Sequence, residues 1–146
     1  MMYKVVKCFE FEAAHRLIET CTEKCKRIHG HTYKLEVELS AEELGPDQMV
    51  CDFTKLNQFV KEGIIEEFDH VLIEKAPKRV IKEIGDCFVY ETDKRMNRTK
   101  VFLKEQPTAE YMCKLFFDVL TVSYSLPVTR IRLWETSNSY AEYVKA

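Results

Sequence analysis

The sequence is short of the residues that punctuate or loosen a chain. Only four glycines and four prolines occur among 146 residues, which excludes collagen-like, linker-like and low-complexity architectures. Also missing is any apolar run approaching the roughly 20 residues that span a bilayer. The opening MMYKVVKCFEFEAAH is broken by Lys4, Lys7 and Glu10 and so lacks the apolar centre of a signal peptide. A cytoplasmic protein with no membrane partner is expected. Positive charge is not in surplus, since 22 Lys and Arg stand against 24 Asp and Glu for a net charge of -2, which argues against a nucleic-acid partner. No internal repeat and no glycine-rich phosphate loop of either standard type is present.

What is there suits one folded core. The chain is 46% apolar, 12% aromatic and 32% charged, and its length matches a single domain of roughly 100–200 residues. One domain over residues 1–146 is therefore expected. Cys8, Cys21, Cys25, Cys51, Cys87 and Cys113 are read as reduced thiols, because cytosolic thiol pools keep them so. Any cysteine with a special task is then catalytic or metal-bound.

Two periodicities organise the chain. Val5, Cys8, Phe9 and Phe11 lie in an extended first segment, and Tyr33, Leu35, Val37 and Leu39 alternate strictly with polar residues, the pattern of a half-buried strand. The stretch Ile18 to Ile28 between them is charged, has neither period and carries Cys21 and Cys25. After Gly45-Pro46, Asp52 or Thr54 caps a helix with Phe53, Leu56, Phe59, Val60, Ile64 and Phe68 at helical spacing. Pro107-Thr108-Ala109-Glu110 opens a second helix with Met112, Leu115, Phe116, Val119 and Leu120 on one face. Residues 128–135 alternate as a strand, and Tyr140 to Lys145 offers a last one. The outline is ββααββ. Residues 71–106 fit it least well and suggest a short helix around Pro77 to Ile84. They also suggest a β-hairpin from Phe88-Val89-Tyr90 and Val101-Phe102-Leu103, with Lys94, Arg95, Arg98 and Lys100 at its tip.

The chemistry gathers around His29-Gly30-His31, immediately before the second strand. Residues two apart on an extended chain point to the same side, so both imidazoles can share one metal. Gly30 lets the backbone approach closely. His15 joins them if the first two strands pair as a hairpin. Three neutral imidazoles suit a catalytic zinc, whose fourth position stays open for water or a substrate oxygen. Cys25, four residues before His29, is a candidate base or nucleophile, since a nearby cation favours its thiolate. The competing reading is a closed structural zinc site built from Cys21, Cys25, His29 and His31. Asp69-His70 is a candidate acid-base pair, with the carboxylate orienting the imidazole. Glu135, where an alternating strand ends, can accept two donors from a planar guanidine-like heterocycle.

Taken together, Phe11-Glu12-Ala13-Ala14-His15, Cys25-x3-His29-Gly30-His31, Asp52-Phe53, Asp69-His70, Pro107-Thr108-Ala109-Glu110 and Glu135-Thr136-x3-Tyr140-Ala141-Glu142-Tyr143 resemble the 6-pyruvoyltetrahydropterin synthase family. The last segment is most similar to its bacterial branch, the 6-carboxy-5,6,7,8-tetrahydropterin synthases of the queuosine (7-deazapurine) pathway. The resemblance implies an α+β tunnelling fold: a four-stranded antiparallel sheet with two helices on one face, closed into a barrel by three subunits, two trimers stacking as a homohexamer. It implies zinc (Zn2+) on His15, His29 and His31, a catalytic Cys25 with Asp69 and His70, and a pterin held by Glu135. Thr136, Thr108 and Glu110 are further pocket candidates by the same resemblance. The implied substrate is 7,8-dihydroneopterin triphosphate, converted with loss of triphosphate and acetaldehyde. Alternatives are elimination of triphosphate alone, as in 6-pyruvoyltetrahydropterin synthases, and a non-catalytic zinc- or pterin-binding module. Two departures stand out. The connection between Asp69-His70 and Pro107 is longer than in compact members, so residues 71–106 contain an insertion. Cys21 is also unexpected, and Glu23 lies near Cys25 where another branch of the family uses a glutamate.

Overall fold

The computed structural model describes residues 1–20, 22–85 and 87–146. Its strands are β1 (Tyr3–His15), β2 (His29–Ala41), β3 (Val71–Lys75), β4 (Phe88–Thr92), β5 (Arg98–Leu103), β6 (Val128–Thr136) and β7 (Ser139–Val144), joined in one sheet in the order β4-β5-β3-β1-β2-β6-β7. β1 and β2 are antiparallel partners from Tyr3 opposite Ala41 to His15 opposite His29. Their register follows from alternation: Phe9, Phe11 and Ala13 on β1 and Tyr33, Leu35, Val37 and Leu39 on β2 are all buried. A one-residue slip would turn either set out to solvent. β6 pairs with β2, and β7 with β6, both antiparallel, and Ile131 and Leu133 complete the same apolar face.

Helices cover that face. α1 (Phe53–Val60) starts at Asp52, whose carboxylate accepts the Thr54 N–H at 2.7 Å, and runs on through a π-helical turn (Lys61–Ile65) into α2 (Glu66–Phe68). α4 (Ala109–Asp118) starts at Thr108, whose hydroxyl accepts the Tyr111 N–H at 3.1 Å, and continues into a second π-helical turn (Val119–Ser123). Leu56, Val60, Ile64 and Phe68 from the first run meet Met112, Leu115, Phe116 and Leu120 from the second in one core with the strands. Most residues expected at helical spacing bury, but Phe53 at the start of α1 is 50% exposed, and Phe59 and Val119 are only partly buried.

The expected four-stranded antiparallel sheet is incomplete. β1, β2, β6 and β7 are that antiparallel set, but the sheet has seven strands and is mixed, because β3 lies parallel to β1 and β5 parallel to β3. Val71-Leu72-Ile73 is too short a run to announce itself by period. It becomes a strand because the outer edge of β1 offers unpaired backbone groups. The expected hairpin is present, with β4 antiparallel to β5, and the short helix is α3 (Lys78–Ile81). Val101 and Leu103 enter the main core while Phe102 between them faces the other way, packing with Ala76 and Ile84 in a small second cluster.

The two helical runs touch where they are π-helical. A Cβ on Gly63 would meet Tyr124 Cε2 at 2.7 Å, and the Tyr124 ring is held against Phe59 with centroids 5.0 Å apart. Gly63→Ala would gain about 1 kcal/mol of helix propensity but overpack the contact by about 1–3 kcal/mol. Denaturant unfolding should show a net loss. In a Tyr124→Ala background the same substitution should instead stabilise, and equal effects in both backgrounds would refute the contact as its cause.

Candidate active site

The β1–β2 register brings the histidines together. His15 stands opposite His29 and His31 opposite Ala13 at the end of the hairpin, on the face that carries Tyr33 and the core. One ring nitrogen from each of His15, His29 and His31 lies within 4.8 Å of the others. The Nε2 atoms of His15 and His31 are 3.1 Å apart. Donors about 2.0–2.1 Å from one tetrahedral zinc stand about 3.4 Å from each other, so the cluster needs little adjustment to hold an ion.

Backbone carbonyls choose the tautomers. His15 Nδ1 lies 2.8 Å from the Pro107 carbonyl and His29 Nδ1 2.8 Å from that of Arg27. A carbonyl can only accept, so both Nδ1 atoms carry the proton and both Nε2 lone pairs are left for a ligand. Burial pushes His15 down to about 4, opposed by the Pro107 hydrogen bond and reinforced by its histidine neighbours, so it is neutral at pH 7. Burial also lowers His31, against the pull of the Glu135 carboxylate. Uncharged imidazoles with free lone pairs are the form a metal requires. Gly30 is not needed for a tight approach, because a Cβ there would make an ordinary contact of 3.6 Å with the Ala13 carbonyl.

The remaining candidates fall at differing distances from the cluster. Glu135, on β6, comes within 3.4 Å of His31 Nε2. It lines a hollow of about 440 Å³ with Lys34, Trp134 and Thr136, and a smaller one of about 180 Å³ with Glu110 and Tyr140. Thr136 donates its hydroxyl hydrogen to Asn138 Oδ1 at 2.9 Å. A trough of about 500 Å³ on the other side of His31 is lined by Glu12, Ala14, Thr32 and His70. His70 Nδ1 is 2.9 Å from Asp69 Oδ1, and that oxygen also accepts the Glu12 N–H at 2.8 Å. His70 holds a left-handed backbone with φ of 62°, a conformation costing a non-glycine residue about 1–2 kcal/mol, and its side chain is 76% exposed. Cys25 is half-buried on a 3-10 turn (Glu23–Lys26). Among the described residues no cysteine joins the group that could hold a metal. Cys21, the other thiol of the closed-site reading, lies outside the described residues. Thr108 stands at the start of α4, where its hydroxyl oxygen accepts the Tyr111 N–H at 3.1 Å.

The model of the family described as 6-pyruvoyl tetrahydropterin synthase matches residues 4–146. The chain belongs to that family. Within it, a Pyrococcus horikoshii protein named putative 6-carboxy-5,6,7,8-tetrahydropterin synthase is 38% identical over 140 residues, 91% of this chain and 84% of the relative. A Haemophilus influenzae protein named 6-carboxy-5,6,7,8-tetrahydropterin synthase is 34% identical over 145 residues, 97% of this chain and 99% of the relative. The fold is shared with an uncharacterized protein of Wolinella succinogenes, at TM-score 0.78 and 21% identity over 100% of this chain and 99% of the other. It is also shared with the 6-pyruvoyl tetrahydropterin synthase of Plasmodium falciparum, at TM-score 0.71 and 18% identity over 99% and 98%.

Three contributors in this family member were not foreseen from spacing. The Pro107 carbonyl holds His15 from a loop 92 positions away. The Tyr33 hydroxyl, 3.2 Å from His15 Nδ1, sits behind the cluster on a ring stacked against Phe11. Glu12 ties the Asp69-His70 turn to β1 and accepts the Thr32 hydroxyl at 2.8 Å. Tyr33 alone had a signal, being two residues beyond His31 on the same strand face.

His29 is only partly buried, unlike His15, so His29→Ala should alter apo stability by no more than about 0.5 kcal/mol. Zinc affinity should fall by at least about 100-fold, more than the 10–100-fold that loss of an outer partner costs. Competition with a chromophoric chelator measures it. Near-stoichiometric zinc in a His15, His29, His31 triple-alanine variant would sink the assignment.

Proposed function

We propose that this protein converts 7,8-dihydroneopterin triphosphate and one water to 6-carboxy-5,6,7,8-tetrahydropterin, with release of triphosphate and acetaldehyde. The observation that carries this reading is the three-imidazole cluster with the Glu135 carboxylate 3.4 Å from it. Curated relatives of that name, matched nearly end to end, support it. Metal dependence follows from the donor set, and zinc is the ion we assign to His15, His29 and His31. When bound there it supplies Lewis acidity that lowers the cost of removing a proton from the substrate side chain.

The residues divide the remaining work. Glu135 accepts from the amino group and ring N–H of the pterin, a bidentate charge-assisted pair that also fixes orientation. The Trp134 and Thr136 hollow beside it has room for a flat bicyclic ring. Cys25 removes the side-chain proton as base, and His70, oriented by Asp69, moves protons at the exposed rim of the trough. Thr136 and Glu110 line the pterin end. We also take the chain as a single cytoplasmic domain with an insertion within residues 71–106, and three chains closing their sheets, doubled, as the working homohexamer. A monomeric mass by light scattering at micromolar concentrations would contradict the assembly.

Incubating zinc-loaded protein with 7,8-dihydroneopterin triphosphate should release triphosphate and acetaldehyde together, because the proposed route breaks both the phosphate ester and a side-chain carbon bond. Cys25→Ala should cut kcat by about 100-fold or more with metal content intact. Triphosphate without acetaldehyde would instead assign 6-pyruvoyltetrahydropterin as product. No turnover of any dihydropterin by zinc-loaded protein would favour a binding module.

A further inference from the structure

The loop that carries Cys25 belongs to neither of the strands that carry the histidines, so something else must decide where the thiol stands. Among the described residues its two ends are joined by the Leu17 N–H donating to the Cys25 carbonyl at 2.7 Å. Between those residues the Glu19 backbone is gripped from outside. Its N–H donates to Gln106 Oε1 at 2.6 Å and its carbonyl accepts from Gln106 Nε2 at 3.1 Å. One side-chain amide thus satisfies both main-chain groups of one residue, as a neighbouring strand would. Lys75 Nζ, from the end of β3, adds an ion pair to the Glu19 carboxylate at 2.7 Å. Gln106 directly precedes Pro107, whose carbonyl holds His15. Thr108 then anchors the segment to the start of α4.

We infer that Gln106 is a positioning residue: its amide clamps Glu19 and so fixes the loop that carries Cys25, while the next residue, Pro107, orients His15. This rests on the reading of Cys25 as base. One rigid segment then holds the metal ligand and the thiol loop in a common frame, and a thiol displaced by about 1 Å would cost up to about 100-fold in rate. Lys75 strengthens the grip but does not replace it, because an exposed ion pair holds a side chain loosely.

Replacing Gln106 tests the clamp by two independent readings. In Gln106→Ala, alkylation of Cys25 by iodoacetamide, followed on its own peptide by mass spectrometry, should quicken about fivefold to tenfold as the loop opens. Zinc content should be unchanged, and kcat should fall roughly tenfold to a hundredfold with KM nearly constant. Gln106→Glu keeps the acceptor for the Glu19 N–H and loses the donor for its carbonyl, so both effects should be intermediate. It also serves if the alanine variant fails to fold. An unchanged Cys25 alkylation rate in a folded variant would overturn the clamp whatever the activity. Faster alkylation with undiminished kcat would leave the clamp standing as a structural contact and overturn its role in the reaction, whereas Cys25 as base falls separately, on an undiminished kcat in Cys25→Ala. Loss of zinc together with activity would overturn it too, by showing that the segment acts through His15 alone.

Discussion

Everything at the site depends on the antiparallel register of β1 and β2. With His15 opposite His29 and Ala13 opposite His31, three imidazoles meet at the end of a hairpin whose interior is packed with Phe9, Phe11, Tyr33 and Leu35. The core therefore sets the geometry of the imidazole cluster from a distance. Side chains alternate strictly along a strand, so a shift of one residue would expose the aromatic face and scatter the histidines in the same step. Fold stability and ligand placement are the same constraint seen at two ends of one hairpin.

The connection from β5 to α4 supplies what the hairpin cannot. Gln106, Pro107 and Thr108 are consecutive, and each serves a different neighbour: the Glu19 backbone, the His15 ring and the first turn of α4. Proline suits the middle position, where its carbonyl accepts from His15 and the helix after it needs no N–H from that residue. The motif that opens α4 acts here as a bracket between helix, metal ligand and thiol loop.

The additional strands alter the sheet more than the site. β3 follows His70 directly and joins the edge of β1 beside Ala13 and His15, so it braces the metal end of the hairpin from the side away from β2. β5 and β4 then continue outward, and their far face is closed by the small cluster of Ala76, Ile84 and Phe102. The edge of β1 is thereby covered within the chain from Ala13 to His15, and the outermost strand on that side is β4.

Much of this was readable in the order of residues. Alternation marked β2 and β6, helical spacing marked α1 and α4, and His29-Gly30-His31 announced a shared ligand face, because those patterns are local and each residue type has one strong preference. The β4–β5 hairpin was also visible from its two apolar runs. What could not be read was non-local: that Val71-Leu72-Ile73 pairs parallel with β1, that the Pro107 carbonyl chooses the His15 tautomer, and that Gln106 grips Glu19. A parallel pairing or a side-chain bond between residues 87 apart leaves no period in the chain. It exists only once the core has brought the two segments within hydrogen-bond reach, so sequence determined which chemistry was available and tertiary structure decided which groups would share it.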